Sequence, residues 1–136
     1  MAVPPDSAVS SILAGASIGL TVGTNLFLGP VREQAAGMPH KAVFCLATGG
    51  PSPLMHVQGN TGPDIKRSNV QIRIRSDVGA FAVGQALARS VWSALQRATF
   101  TGYMGIACRE SEPVYLGQDD TEHHEWSVNV ETWREE

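Results

Sequence analysis

The sequence predicts a single α+β domain in which a mostly antiparallel sheet is packed by one long helix and a short N-terminal helix. Three observations support this fold class. Several runs alternate apolar and polar residues with the period of a β-strand, one alanine-rich stretch has the period of an α-helix, and the chain has 136 residues. That length suits one hydrophobic core and is too short for two domains. The predicted order is α, β, β, long loop, β, α, β, β.

The N-terminal third predicts a short helix and two strands. Asp6 or Ser7 can cap the helix through a side-chain oxygen, and Gly15 ends it. Residues 20–28 alternate in character with period two, which is typical of a strand. Residues 41–47 are almost continuously apolar, which favours a strand that is buried on both faces.

Residues 49–68 are predicted to form a long loop, because glycine and proline recur there without any periodic pattern. A loop of about twenty residues is long for a compact domain and is usually either functional or disordered. A partner could order such a segment.

The clearest strand covers residues 69–76. Valine and isoleucine occupy one face, while Arg73 and Arg75 lie on the other face, about two strand residues apart. Two interpretations stay open for these arginines. They fit an ordinary solvated sheet face, and they also fit a face that pairs with charges on a neighbouring subunit.

The main helix is predicted over roughly residues 78–98, with a cap at residues 76–77. It carries an apolar stripe, and its polar face includes Arg89. The stripe contains Gly84 and Ala88, whose small size would let the helix approach the sheet closely.

The C-terminal third predicts strands at residues 103–109 and 126–133. A polar, acidic connection at residues 113–125 separates two apolar runs, which indicates a β-hairpin with a polar arm directed at another molecule. Its densest carboxylates are Asp119, Asp120, Glu122 and Glu125. We interpret these as solvated and ionised, because a catalytic pair needs surroundings that split the two pKa values.

Charge is distributed unevenly along the chain. Residues 1–107 contain eight Lys or Arg and four Asp or Glu, whereas residues 108–136 contain two Arg and nine Asp or Glu. The resulting net charges of +4 and −7 fit a solvated acidic tail, and they also fit a subunit with unlike surfaces suited to head-to-tail assembly. Net acidity argues against nucleic-acid binding. No apolar run reaches membrane-spanning length and no basic signal-peptide start is present, so no membrane association is predicted.

The sequence predicts no catalytic, cofactor-binding or metal-binding residues. Glycine-rich phosphate loops and the nucleophile-elbow spacing are missing. The adjacent residues His123 and His124 would point to opposite faces of a strand and could not readily chelate one ion. Cys45 and Cys108 lie in apolar runs and are interpreted as buried thiols in a reducing compartment, although a disulfide is conceivable. An enzyme is therefore the weakest function class.

One combination of segments resembles the minor capsid family of bacteriophages, and within it the tail terminators of long-tailed phages. The resemblance spans about residues 7–133. Its most specific parts are the run from Asn25 to Gly29, the strand at residues 70–75 and the segment from Leu116 to Asn129. The order and spacing of these motifs carry the similarity more than any single motif does.

This resemblance implies a structural virion protein without catalytic residues. It implies an α/β fold and a homo-oligomeric ring, usually of six subunits, at the head-proximal end of the viral tail. Such a ring stops the polymerisation of the tail tube protein and joins the tail to the head–tail connector or neck protein. Genomic DNA passes through its lumen without specific binding, and assembly takes place in the host cytoplasm.

Two rival functions remain at this stage. Another neck component, either a head–tail connector or a head-closure protein, would also form a ring on a related fold. A small-ligand or regulatory binding domain would differ by having a closed apolar pocket. The candidates for the subunit interface or the lumen are the charged residues Arg73, Arg75, Arg89, Asp119, Asp120, Glu122, Glu125 and Glu131.

Overall fold

A computed structural model describes residues 3–29, 37–55 and 64–135 of the chain. They form two helices and one six-stranded sheet. In chain order the elements are α1 (Pro5–Gly15), β1 (Leu26–Leu28), β2 (Ala42–Gly49), β3 (Ile65–Val78), α2 (Phe81–Leu95), β4 (Gly105–Cys108), β5 (Val114–Gln118) and β6 (His123–Glu135). No helix in the described ranges is both long and apolar enough to cross a membrane.

The sheet is mixed, with strand order β1-β2-β3-β6-β4 and with β5 pairing to β6 as well. β1 and β2 are parallel, whereas the other pairs are antiparallel. β4 and β5 share one edge of β6, because β4 pairs with its C-terminal half and β5 with its N-terminal half. β5 and β6 form a hairpin, and β5 thus lies within residues 113–125, which the sequence predicted to be a polar connection between two strands.

The predicted fold class, a mostly antiparallel sheet packed by one long helix, is wrong. The sheet contains a parallel pair, and the two helices have only 11 and 15 residues. The predicted helix 78–98 is shorter at both ends. β3 continues through Val78, and Gln96 is already extended, followed by Arg97 with a φ of 59°. The amide oxygen of the Gln96 side chain accepts a hydrogen bond from the backbone N–H of Cys108, so it connects the end of α2 to β4.

Several boundaries also differ from the sequence predictions. Neither helix has a side-chain cap, since Pro4 and Ala80 occupy the cap positions. Of the strand predicted at residues 20–28, only three residues form β1. The loop predicted at residues 49–68 ends earlier, because β3 begins at Ile65, and residues 56–63 lie outside the described part of the chain.

The alternating pattern of β3 and β6 divides the sheet into two faces. Val70, Ile72 and Ile74 are fully buried, and they point to the same side as Val128 and Val130 of β6. Both helices pack against this side and complete the hydrophobic core with their own apolar stripes. We call the opposite side the open face, because no helix among the described residues covers it.

α2 lies unusually close to the sheet at Gly84. A Cβ atom built at this position would lie 2.5 Å from the Trp126 ring and 2.6 Å from the Cβ of Ser76. Both contacts are far shorter than van der Waals distance, so only glycine fits here. The small residue noted in the helical stripe therefore sets the distance between α2 and the sheet. Trp92 links the same helix to the β4–β5 connection, because its indole N–H donates a hydrogen bond to the backbone carbonyl of Glu110.

We predict that Gly84→Ala destabilises the protein by roughly 1–3 kcal/mol, because overpacking outweighs the helix propensity that alanine adds. The measurement is urea unfolding followed by tryptophan fluorescence. Gly15→Ala is the matched control, since that glycine ends α1 and a Cβ there meets nothing within 4 Å. Equal stability of the two variants would contradict the packing argument.

Candidate interaction surfaces

The charged candidates on β3 have intramolecular partners. Arg73 donates to a carboxylate oxygen of Glu125 at 2.8 Å across the β3–β6 pair, on the open face. Arg75 is only 4% exposed, and its guanidinium donates to the backbone carbonyls of His40 and Pro39. The Arg75 side chain therefore ties the segment before β2 to the centre of the sheet.

The remaining candidates lie apart from one another. Arg89 projects from α2 and reaches Glu112 at 3.3 Å, with both side chains more than 60% exposed, so this pair adds little stability. Glu131 lies half-buried on the open face, opposite Asn69 of β3 and Ala107 of β4. The structure brings together Arg73 with Glu125, but it does not gather the eight candidates into one site. Their assignment to an interface or a lumen stays a prediction.

Asp119 organises the turn between β5 and β6. Its carboxylate accepts hydrogen bonds from the backbone N–H and the hydroxyl of Thr121 and from the backbone N–H of His123. The Nδ1 atom of His123 lies 3.0 Å from the same carboxylate. Asp120 and Glu122 are exposed on this turn, and Glu122 adopts a φ of 67°.

These contacts set the protonation of Asp119. Burial acts to raise its pKa, but the hydrogen bonds from His123 and Thr121 favour the charged form more strongly and hold the pKa at about 2. The ionised carboxylate therefore stabilises the folded turn. This contribution is complete above the ordinary pKa of 3.8 and is lost as the pH falls towards about 2.

We predict that Asp119→Asn lowers the free energy of unfolding by about 1–2 kcal/mol at neutral pH. The difference from the unaltered protein should be constant between about pH 5 and pH 8 and should shrink below about pH 4, where the carboxylate of the unfolded chain becomes protonated. Urea unfolding over this pH range measures it. Asp120→Asn on the same turn is the control and should change stability by less than about 0.5 kcal/mol. A penalty that grows as the pH falls would exclude this explanation.

A histidine pair joins this turn to a distant segment. His123 is 5% exposed, and its Nε2 lies 2.8 Å from Nδ1 of His40, with the two rings stacked at a centroid distance of 5.0 Å. One of the two facing nitrogens donates and the other accepts. Sequence reasoning missed this contact, because 83 residues separate the two histidines and no motif links them.

An aromatic cluster lies where β5 meets the start of α2. The Phe81 ring is within 5.4 Å, centroid to centroid, of the rings of Tyr115, His124 and Trp126. Trp126 is buried, but Phe81 and Tyr115 are 41% and 46% exposed. The sequence predicted the strand that begins at Trp126, whereas nothing in it marked Tyr115 as part of an exposed cluster.

The described residues do not form a recognisable reactive centre. No group of three or more His, Cys, Asp or Glu side chains in ranges 3–29, 37–55 and 64–135 could hold a metal ion. Cys45 and Cys108 are free thiols. Burial, with a smaller effect of Asp6, raises the pKa of Cys45 to about 12, and burial, with a smaller effect of Glu110, raises that of Cys108 to about 12. Both thiols therefore stay protonated and react slowly at neutral pH.

Comparison with known proteins places this fold beside a virion component. No protein-family model and no curated protein matches the sequence. Among solved structures, the chain is similar to one chain of the virion of a native gene transfer agent particle. The TM-score is 0.65 at 18% sequence identity, and the match covers 97% of this chain and 95% of that one. At this identity the likeness concerns the fold.

Proposed function

We propose that this chain is a structural protein of a phage-like virion and that it acts as a tail terminator. The observation that carries the proposal is the likeness in fold to a chain of the gene transfer agent virion, which extends over nearly the full length of both chains. The match leaves almost nothing unaligned in either chain, so the likeness covers the whole fold described above. The sequence resemblance to tail terminators points in the same direction by an independent route.

The distribution of side chains supports an assembly role. Exposed apolar residues lie at both edges of the sheet, including Leu28 and Leu46 on one side and Tyr115 and Leu116 on the other. Contacts between copies of a chain commonly use such patches, because their burial in the assembly removes apolar surface from water. The charged side chains mostly pair within the chain or lie in solvent, although Arg109 and Glu110 line an open cleft beside β5 together with Val114 and Asn129. The clefts along α2 contain only Arg89 or Arg89 with Glu112 as charged lining residues.

In this proposal the chain forms a homo-oligomeric ring, of six subunits as the resemblance implies, at the head-proximal end of the tail. One rim of the ring contacts the last tail tube subunits, and the other rim contacts the neck. A closed ring requires a heterologous interface, in which one patch of a subunit contacts a different patch of its neighbour. This role requires no centre for bond-making.

We predict that removing this chain from the particle-producing cell yields overlong tails, because tube polymerisation is no longer stopped. Electron microscopy of negatively stained particles measures the tail length. Re-expression of the unaltered chain should restore the normal tail length. Re-expression of the Gly84→Ala variant tests whether a less stable fold still restores it. Normal-length tails detached from heads would instead indicate a neck component. If cells that lack this chain still produce normal particles that infect or transfer DNA, both roles are overturned.

A further inference from the structure

We propose that copies of this chain meet edge to edge, with β5 of one copy pairing with the second half of β2, residues 46–49, of the next copy. The inference rests on the proposed function, because it names the contact from which the ring would be built. It places a heterologous interface on two particular edges of the sheet.

The outer edge of β5 is open. β5 pairs with β6 on one side, and none of the described residues pairs with its other side. Its consecutive residues Val114, Tyr115 and Leu116 are 43%, 46% and 49% exposed. Val114 and Tyr115 pair in register with β6 and point to opposite faces, whereas Leu116 lies in a β-bulge between Tyr115 and Gly117. Apolar side chains are therefore uncovered on both faces of this strand. An open edge with apolar side chains is a template for pairing with another strand.

The second half of β2 is open in the same way. β1 pairs only with positions 43–45 of β2, and within the described ranges no strand continues along residues 46–49. These residues are all exposed, whereas the first four residues of β2 are buried. Leu46 is 38% exposed, and Leu54 and Met55 beyond the strand are 51% and 78% exposed. This edge therefore presents unpaired backbone together with apolar side chains.

The strand directions fit this pairing. β2 is antiparallel to β3, β3 is antiparallel to β6, and β6 is antiparallel to β5, so β5 runs opposite to β2. In copies that keep the same strand direction, β5 of one and β2 of the next are antiparallel, which is the more stable hydrogen-bonding arrangement. The lengths also correspond, with five residues in β5 and four in the open half of β2.

The two edges are offset along the strands. Ala47 opposes Val70 of β3, while Tyr115 opposes Trp126, which in turn opposes Ile74. The edges are thus displaced by about four residues, roughly 13 Å at the rise of a strand. Neighbouring copies would be staggered by this amount, and closing a ring with such a stagger requires the strands to tilt relative to the ring axis.

Charge complementarity favours a second copy as the occupant. Residues 109–122, around β5, contain five acidic side chains and one base, Arg109, which lines a cleft with Val114. The other edge is flanked by Lys41, Lys66 and Arg67, with Asp64 as the only acid in residues 41–55 and 64–67. Arg67 lies directly beside this edge, since its guanidinium donates to the Ser52 carbonyl. A β5–β5 contact would bring five acids against five, which like-charge repulsion disfavours.

Site-directed cross-linking tests the proposal. One variant carries Leu46→Cys and Leu116→Cys together, and each single substitution serves as its control. The native thiols Cys45 and Cys108 react slowly, so a short bismaleimide should modify the introduced thiols first. The reaction is carried out on the purified protein at increasing concentration and on assembled particles, and covalent products are separated under denaturing conditions.

We expect the double variant to give a ladder of covalent oligomers that ends at the ring size, while each single variant remains monomeric. Efficient dimerisation of Leu116→Cys alone would show that β5 pairs with itself and would overturn the proposal. A double variant that stays monomeric both in solution and in particles would overturn it as well.

A charge placed on the contact provides a second test. Leu116→Lys should lower the yield of oligomers at least about tenfold, since the added ammonium group would be buried against an apolar edge that Lys41, Lys66 and Arg67 flank. Met104→Lys is the matched control, because Met104 is 61% exposed and belongs neither to β5 nor to residues 46–49. Both variants should unfold at the urea concentration of the unaltered protein, so equal oligomer yields from the two would contradict the assigned contact.

The outcomes separate this contact from the proposed function. If removal of the chain gives overlong tails but positions 46 and 116 do not cross-link, the terminator role is supported and the proposed contact is refuted. If the double variant gives the ladder of covalent oligomers but removal of the chain leaves the tail length unchanged, the contact is supported and the terminator role is refuted.

Discussion

The pairing of β3 with β6 is the interaction on which the rest of the structure depends. These are the two longest strands, and they form a nearly continuous antiparallel ladder from Ile65 with Glu135 to Arg75 with Glu125. β2 attaches to one side of this pair, and β4 and β5 attach to the other. Both helices pack on its apolar face. Because the two strands are 45 or more residues apart in sequence, this ladder costs loop-closure entropy, which the packing of both helices on it helps to offset.

The sequence was informative wherever one physical pattern determined local structure. The alternation around Ile72 correctly predicted which face of β3 is buried, because strand periodicity and burial agree there. The apolar stripe of α2 and its small residue at Gly84 were also visible, since both follow from helical spacing. β6 was predicted for the same reason as β3. In each case the local propensity and the tertiary environment favour the same structure.

The sequence was uninformative where tertiary contacts override local propensity. α2 ends at Leu95, although helical periodicity continues to residue 98, because Gln96 is extended and bonds β4. β5 was not recognised as a separate strand, since its exposed residues show no alternation of buried and solvated positions. The parallel pairing of β1 depends on chain topology, which no local pattern encodes. The prediction of the fold class was wrong for these reasons.

The partners of some charged residues follow from strand register, whereas those of others depend on contacts distant in sequence. Cross-strand geometry explains why Arg73 reaches Glu125, and this neighbour relation follows once the register of β3 and β6 is known. The environment of Arg75 could not be anticipated, because its acceptors are backbone carbonyls of a segment 35 residues away. The contact between His40 and His123 likewise exists only in three dimensions. Charge counts along the chain therefore located acidic and basic regions but not the individual partners.

The division of one edge of β6 between two short strands has a mechanical consequence. β4 is held by the core through Ile106, whereas β5 is held mainly by its own hydrogen bonds to β6 and by the Phe81 ring. β5 supplies no residue to the hydrophobic core, although its Tyr115 ring packs against the buried Trp126 ring. We expect this corner to open at a lower free-energy cost than the ladder of β3 and β6, so that it can adjust to a curved neighbour while the ladder stays paired.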